Sequence, residues 1–329
     1  MTMYDVIAAF PEQLREAVEI GKAATINKPL NPIRNILVTG LGGSGMGANV
    51  VIDLLSDTLR VPMAVNKDYH LPNYVNKNTL LIASSYSGNT EETVMALQQG
   101  IERGAKIVCV TSGGKMAKMA KDNGLDLIML PAGRPPRGCL GYSMVQQLFI
   151  LHKLGFMGKN LLSDLEKAAD MLDKETDALK TTAQKYAKQW HDKLPILYAP
   201  EGYGSVAIRW RQQINENGKM LCWHHVIPEM NHNELVGWRT ESDQWLPIFF
   251  NAPDVFVRNQ YRIEINKTIL DKYSKNVFEL KAKGRTHLQR LLYLMFLGDW
   301  VSWYLAEQRQ VDAMEVKVID YLKGELEKR

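Results

Sequence analysis

The sequence predicts an α/β protein made of two doubly wound parallel-sheet units in tandem, each an αβα sandwich. Three observations lead there. Short apolar runs alternate with helical stretches through the first half. The first of those runs empties into a glycine cluster followed at once by a helix. The same layout of strand, glycines, serine and helix returns in "LPILYAPEGYGSVAIRWRQQINE", from Leu194. Alternation of this kind argues for parallel strands covered on both faces.

The elements follow in order. Ile7, Phe10, Leu14 and Val18 recur at helical spacing, so an amphipathic helix opens the chain. "NILVTG" from Asn35 reads as a strand and "MGANVVIDLL" as the helix after it. "VPMAV" from Val61, "TLLIASS" from Thr79 and "KIVCVTS" from Lys106 read as further buried strands. Near residue 155 the pattern changes to one or two helices, with Ser163 and Glu166 spaced as a capping box. In the second half, "WLPIFF" near Trp245 and "NVFELKAK" near Asn276 read as later strands. The expected division is 1–153, a helical linker over 154–192, and 193–329. The apolar segment "LLYLMFLGDWVSWYLA" from Leu291 is interrupted by Gly298 and Asp299. It falls short of the ~18 clean apolar residues that a membrane span needs, and reads as a buried helix.

Composition narrows the function. The 329 residues carry 40 basic and 36 acidic side chains, a net charge of +4, with no dense basic block. That disfavours nucleic-acid binding. Cys109, Cys139 and Cys222 are widely spaced and make neither a metal knuckle nor a disulfide framework. A reduced, cytoplasmic setting is expected, and MTMYDVIAAF has no signal-peptide pattern.

"GLGGSG", Gly40–Gly45, matches the dinucleotide fingerprint G-x-G-x-x-G. That reading wants an acid closing the second strand to hold a ribose. Here the strand closes on Asn66 and Lys67, with Asp68 the nearest acid. The hydroxyls point elsewhere. Gly43 and Ser44 sit in the glycine turn, and Ser85, Ser87 and Thr90 end a neighbouring strand just before a helix near Glu91. A helix N-terminus offers free N–H groups and a partial positive charge. With several hydroxyls added, the place suits a phosphate monoester. The alternative is that Ser87 and Thr90 only cap the helix.

"GLGGSG" followed by "SSYSGNTEET" resembles a sugar isomerase (SIS) domain, a doubly wound module that holds phosphosugars. Two such domains in a chain this short resemble the bifunctional phosphoglucose/phosphomannose isomerase family. "INENGKMLCWHHVIPEMNHNELVGW", Ile214–Trp238, is similar to that family's N-E-N-x-K … P-E-x-x-H-N pattern. The resemblance implies an aldose–ketose isomerase acting on glucose 6-phosphate and fructose 6-phosphate, and on mannose 6-phosphate, without a cofactor or metal.

The implied chemistry needs particular groups. A carboxylate must carry a proton between C1 and C2 through an enediolate, and Glu216 is the candidate. A cation must stabilise the oxyanion; "GRPPRGCLG" offers Arg134 and Arg137, and Arg137 matches the family's P-R position. Pro135 and Pro136 restrict the backbone that carries it. His232 matches the histidine that opens the sugar ring, which the family supplies from the neighbouring subunit, implying a homodimer. "VKVIDYLK" is similar to the family's T-P-x-I-x-x-L-K ending and makes Lys323 the counterpart of its lysine. One departure stands out. Val316 occupies the place of a threonine associated with accepting both C2 epimers, and Lys317 that of a proline.

His224, His225 and His232 lie close in sequence, but adjacent residues of a strand point to opposite faces, which disfavours a metal. Cys139, near Arg137, reads as a small apolar residue. Two other functions compete: a non-catalytic phosphosugar-binding regulator, and a dinucleotide-dependent oxidoreductase.

Overall fold

A computed structural model describes all residues, 1–329. The expected opening helix is two helices, α1 (Met3–Ala8) and α2 (Phe10–Ala23). Thr2 and Asp5 cap α1 reciprocally, the chain breaks at Ala9, and Pro11 starts the next helix where a missing N–H costs nothing. Ile7, Phe10, Leu14 and Val18 are all buried.

The first sheet follows. Its elements are β1 (Asn35–Thr39), α3 (Gly42–Leu55), β2 (Met63–Asn66), β3 (Thr79–Ser84), α4 (Glu91–Glu102), β4 (Lys106–Thr111), α5 (Gly114–Asp122) and β5 (Asp126–Met129). All strands are parallel, in the order β2-β1-β3-β4-β5. Leu80–Ala83 of β3 are completely buried, as expected of a central strand covered on both faces. β5 escapes the sequence reading because it is four residues long and opens on Asp126, whose carboxylate is held by Lys106 at 2.6 Å.

α6 (Leu140–Lys153) is buried along its first twelve residues. α7 (Asn160–Trp190) is one continuous helix of 31 residues. Its start lies upstream of Ser163, so the expected capping box does not form. Ser163 is already helical, and its hydroxyl donates backward to the Asn160 carbonyl at 2.8 Å.

The second sheet contains β6 (Leu194–Pro200), α8 (Gly204–Glu216), β7 (Trp223–Ile227), β8 (Trp245–Asn251), α9 (Val257–Leu270) and β9 (Phe278–Lys281). It too is fully parallel, ordered β7-β6-β8-β9. α10 (His287–Arg309) and α11 (Lys317–Leu326) close the chain.

The apolar segment from Leu291 is the buried interior of α10. Both interruptions have packing reasons: a side chain on Gly298 would meet the Trp210 indole at 2.4 Å, and Asp299 pairs with Arg209. No helix is long and apolar enough to cross a membrane.

One apolar core runs through both units, from Met3 to Ala313. At the join, α3 and α8 run antiparallel. Asp53, late in α3, meets the first turn of α8 at Ser205. The opposite ends meet through the Arg137 turn, which touches Gly43 of α3 and binds Asn217 just beyond α8. The carboxyl edge of the first sheet therefore faces the amino edge of the second.

Candidate active site

The first sheet reverses its winding between β1 and β3, and an open α/β sheet leaves its crevice at such a switch, beyond the strands' carboxyl ends. The glycine turn follows β1 and the hydroxyl-rich turn follows β3, so both sequence motifs meet there. Ser44 lies in the first turn of α3, and its hydroxyl accepts from the Tyr86 N–H at 3.1 Å, tying the two turns together. The Ser85 hydroxyl lies 2.9 Å from that of Thr90 and accepts from Gly88 N–H at 3.1 Å. Ser87 accepts from Asn89 N–H at 3.3 Å. Gly88 has φ +69°, and a side chain there would lie 1.9 Å from the Gly113 carbonyl, so only glycine closes this turn.

Thr90 is the N-cap of α4, but its side chain makes no bond to the helix. Its hydroxyl is turned to Ser85 instead, and Ser87 bonds within its own loop. The capping alternative is thereby overturned. The first N–H groups of α4 lack a side-chain cap and stand beside three hydroxyls, an arrangement able to bind an oxyanion.

Arg137 comes from a 3-10 turn, Pro136–Gly138, between β5 and α6. A side chain on Gly43 would lie 2.5 Å from the Pro136 carbonyl, so this turn packs directly on the glycine turn. The guanidinium is buried and clamped. Nε donates to Asn217 Oδ1 at 2.8 Å, and Nη2 donates to the carbonyls of Ala313 and Met314 at 2.6 and 3.0 Å. Nη1 keeps a free edge, with Glu216 Oε2 3.6 Å away. Burial lowers the Arg137 pKa, and the Glu216 charge opposes that; a guanidinium remains protonated in this setting.

Glu216 is the last residue of α8, with its side chain 29% exposed. It can therefore reach a ligand. It is within reach of Arg137, and Arg137 is packed against the phosphate-type turns, so these residues converge on one place.

The other two candidates do not converge within a single chain. His232 is exposed, in a 3-10 turn beyond the carboxyl end of β7. α8 runs from the carboxyl edge of the second sheet back to its amino edge, so Glu216 and His232 lie at opposite edges, separated by roughly 20 Å of helix. Lys323 is on α11, a helix without a buried residue. Val316 is its N-cap.

Sequence reasoning missed the supports of the site. Asn217 is fully buried, and its Nδ2 donates to Ser302 Oγ at 3.0 Å. Lys219 adopts φ +54° and donates to the carbonyls of Glu216 and, at 2.7 Å, Glu315. Burial lowers its pKa; Glu315 opposes this and Arg137 adds to it. Arg209 is held bidentately by Asp299 at 2.9 and 2.8 Å and donates to the Arg137 carbonyl at 2.7 Å. Two signals could have found these groups. Asn217 and Lys219 stand inside the quoted motif, and an acid inside a buried apolar helix, Asp299, requires a partner.

His224 and His225 occupy opposite faces of β7, as expected. His225 Nδ1 pairs with Glu234 at 2.8 Å on one side, while His224 shares the α8-facing side with Val226. Asn66, at the ribose position of the dinucleotide reading, is buried and donates to the Asp68 carbonyl at 2.8 Å.

Comparison with known proteins gives the family. Residues 30–154 match the SIS domain family, and residues 179–326 match the bacterial phospho-glucose isomerase C-terminal SIS domain family. The chain is 38% identical to a bifunctional phosphoglucose/phosphomannose isomerase of Caldicellulosiruptor bescii, covering 98% of both chains. It is 35% identical to one of Aquifex aeolicus, over 92% of this chain and 93% of the relative. Among solved structures, the C-terminal domain of glucosamine-fructose-6-phosphate aminotransferase from Francisella tularensis superposes with a TM-score of 0.76, covering 94% of this chain and 96% of that one. At 13% identity that likeness speaks for the fold alone. With SIS-type units in both halves and full-length kinship at this identity, the chain belongs to the bifunctional phosphoglucose/phosphomannose isomerase family.

Proposed function

We propose that this chain interconverts glucose 6-phosphate and fructose 6-phosphate, and mannose 6-phosphate with them, through an enediolate. The observation that carries the mechanism is the meeting of Glu216 and Arg137 beside the phosphate-type turns.

In this reading Ser44, Ser85, Ser87 and Thr90, with the first N–H groups of α4 and the close-packed Gly43, hold the phosphate. His232 and Lys323 open the ring by moving the C1 hydroxyl proton to the ring oxygen. Glu216 then takes the C2 proton of the aldose, and the C2–H electrons form the enediolate double bond. Arg137 Nη1 faces the developing oxyanion in a low-dielectric setting, where a fixed charge is most effective. The O2 hydroxyl proton passes to the O1 oxyanion, and as the C2 carbonyl forms Glu216 returns its proton to C1, giving the ketose. Glucose and mannose 6-phosphates differ only at C2, so both reach this intermediate.

His232 serves the site of a second copy. The separation of Glu216 from His232 and the exposure of His232 support a homodimer with the histidine shared. Lys219 and Arg137 together strap residues 313–315 to the end of α8, and so fix the approach to Val316 and to the helix bearing Lys323. We further propose units of 1–153 and 193–329 joined through 154–192, and a cytoplasmic setting suited to three free cysteines.

The test is a coupled assay with fructose 6-phosphate and no added metal, comparing wild type with Glu216→Gln, and running mannose 6-phosphate alongside. Glucose 6-phosphate formation that the substitution removes supports the reading. Phosphosugar binding without turnover would favour the regulator instead.

A further inference from the structure

A second group of cations lies at the join of the two units, outside the proposed catalytic machinery. α8 packs on β7 with Gly204 against Val226: a side chain on Gly204 would lie 3.4 Å from Val226 Cγ1. Seven residues along α8, two turns later and on the same face, is Arg211. Two residues back along β7, again on the same face, is His224. The helix and strand run in opposite senses, so Arg211 and His224 face each other. Lys67 joins them from the first unit. It follows β2, whose neighbour across the sheet is α3, and α3 packs on both β2 and α8.

None of these three side chains has an acidic partner within salt-bridge distance. The adjacent Asp68 accepts from Tyr69 N–H through Oδ1 at 2.7 Å and forms no salt bridge with Lys67. Arg211 Nε is out of contact with solvent and has no acceptor. The charges oppose one another. Burial and then Arg211 lower the Lys67 pKa. Burial, followed by Arg211, His225 and Lys67, lowers that of His224 to about 4, against a weaker upward pull from Glu234. Cys222, also facing Arg211, is buried and neutral. Lys67 is exposed and His224 only half-buried, so the group opens to solvent.

Unpaired cations with an acceptor-less N–H are matched by an oxyanion, which would accept from Arg211 and bridge the two units. We propose that Lys67, Arg211 and His224 form a second oxyanion site, separate from the Ser85–Thr90 turn, that takes a phosphate or carboxylate group of a small metabolite. It is removed from the Ser85–Thr90 turn because β2 lies on the far side of β1 from β3, while Asn66 accepts from Gly40 N–H at 3.2 Å and brings it beside the glycine turn.

The test follows the His224 ring by NMR in full-length protein selectively labelled at histidine. Inorganic phosphate and citrate are the two probes, with chloride at matched ionic strength as the control. An opposite charge close by raises the titration midpoint of a histidine by about 1 to 3 pH units. Midway between 4 and the ordinary 6.5, His224 should therefore move from the neutral toward the charged signal when an oxyanion is added. Whichever probe acts at the lower concentration identifies the oxyanion class. Arg211→Gln and Lys67→Ser should each reduce the response. Ser85→Ala in the phosphate turns should leave it unchanged. The proposal is overturned if neither probe moves the signal, or if the response survives both substitutions. It is also overturned if His224 is already charged without added anion and becomes neutral on dilution, since a carboxylate of a second copy would then fill the cluster.

Discussion

The two sheets reverse their winding at corresponding places, between β1 and β3 and between β6 and β8, and each reversal opens beside a glycine turn and a helix N-terminus. In the first opening donors remain uncommitted: the Ser87 hydroxyl, one hydroxyl of the Ser85–Thr90 pair, and the N–H groups of α4 that no side chain caps. In the second the chain supplies its own carboxylates. Asp53 accepts from Ser205 N–H in the first turn of α8 at 2.8 Å. Asp254 accepts from Tyr203 Oη at 2.7 Å and from His287 Nδ1 at 2.9 Å, and pairs with Arg290 Nη1 at 2.9 Å. One topology thus leaves donors uncommitted at one reversal and ties them into an internal lock at the other, according to whether the local sequence places hydroxyls or carboxylates there. The same contrast explains the division of labour. The locked edge joins the units, and the antiparallel pairing of α3 with α8 delivers Glu216 to the open one.

The contrast can be broken in several ways. Arg137→Ala should remove the free Nη1 edge and cut kcat by about 10²- to 10³-fold, with circular dichroism verifying the fold. Ser85→Ala should raise KM for glucose 6-phosphate by roughly 10- to 100-fold, since one hydrogen bond to a charged group contributes about 1.5–3 kcal/mol. Ser205→Ala, at the equivalent place in the locked crevice, should leave KM unchanged, and an equal rise for both would erase the distinction.

Asp254→Asn should lower stability by about 1–2 kcal/mol, measured by urea unfolding at neutral pH. Its sign with pH is set by direction. Burial raises the Asp254 pKa, but Tyr203, His287 and Arg290 together hold it below the ordinary 3.8. Its contribution is therefore present above that value and lost as pH falls through the lowered one. Asp53 runs the other way: burial raises its pKa despite the bond from Ser205, so its contribution is present below 3.8 and lost as pH rises. Acid unfolding should thus be less steep in Asp254→Asn and steeper in Asp53→Asn. The smallest expected effect is that of Val316→Thr. One restored hydroxyl, contributing about 1 kcal/mol, should raise mannose 6-phosphate turnover relative to glucose 6-phosphate by about fivefold.

The strands were legible because buried parallel strands read as unbroken apolar runs, as in "TLLIASS" and "KIVCVTS". The hydroxyl-rich turn was legible because an apolar run ends in a cluster of hydroxyls, some of which close the turn themselves. β5 was not, being too short for periodicity, and neither was the break at Ala9, where Pro11 fits the first turn of a new helix as well as it would a continuing loop. The clamps on Arg137 join residues 80 and more apart in the chain, so no local pattern marks them. The basic group of Lys67, Arg211 and His224 was hidden for the same reason: its members come from three separate segments.

The most direct test of the account is deuterium exchange at C2 of glucose 6-phosphate in heavy water, followed by NMR for wild type and Glu216→Gln. A carboxylate that carries the proton exchanges it with solvent. Wild type should therefore wash deuterium into C2, and Glu216→Gln should slow that exchange by about 10²- to 10⁴-fold while binding of the phosphosugar persists. Exchange at the wild-type rate in Glu216→Gln would contradict the assignment of Glu216 as the base and, with it, the reading of the open crevice as the catalytic one.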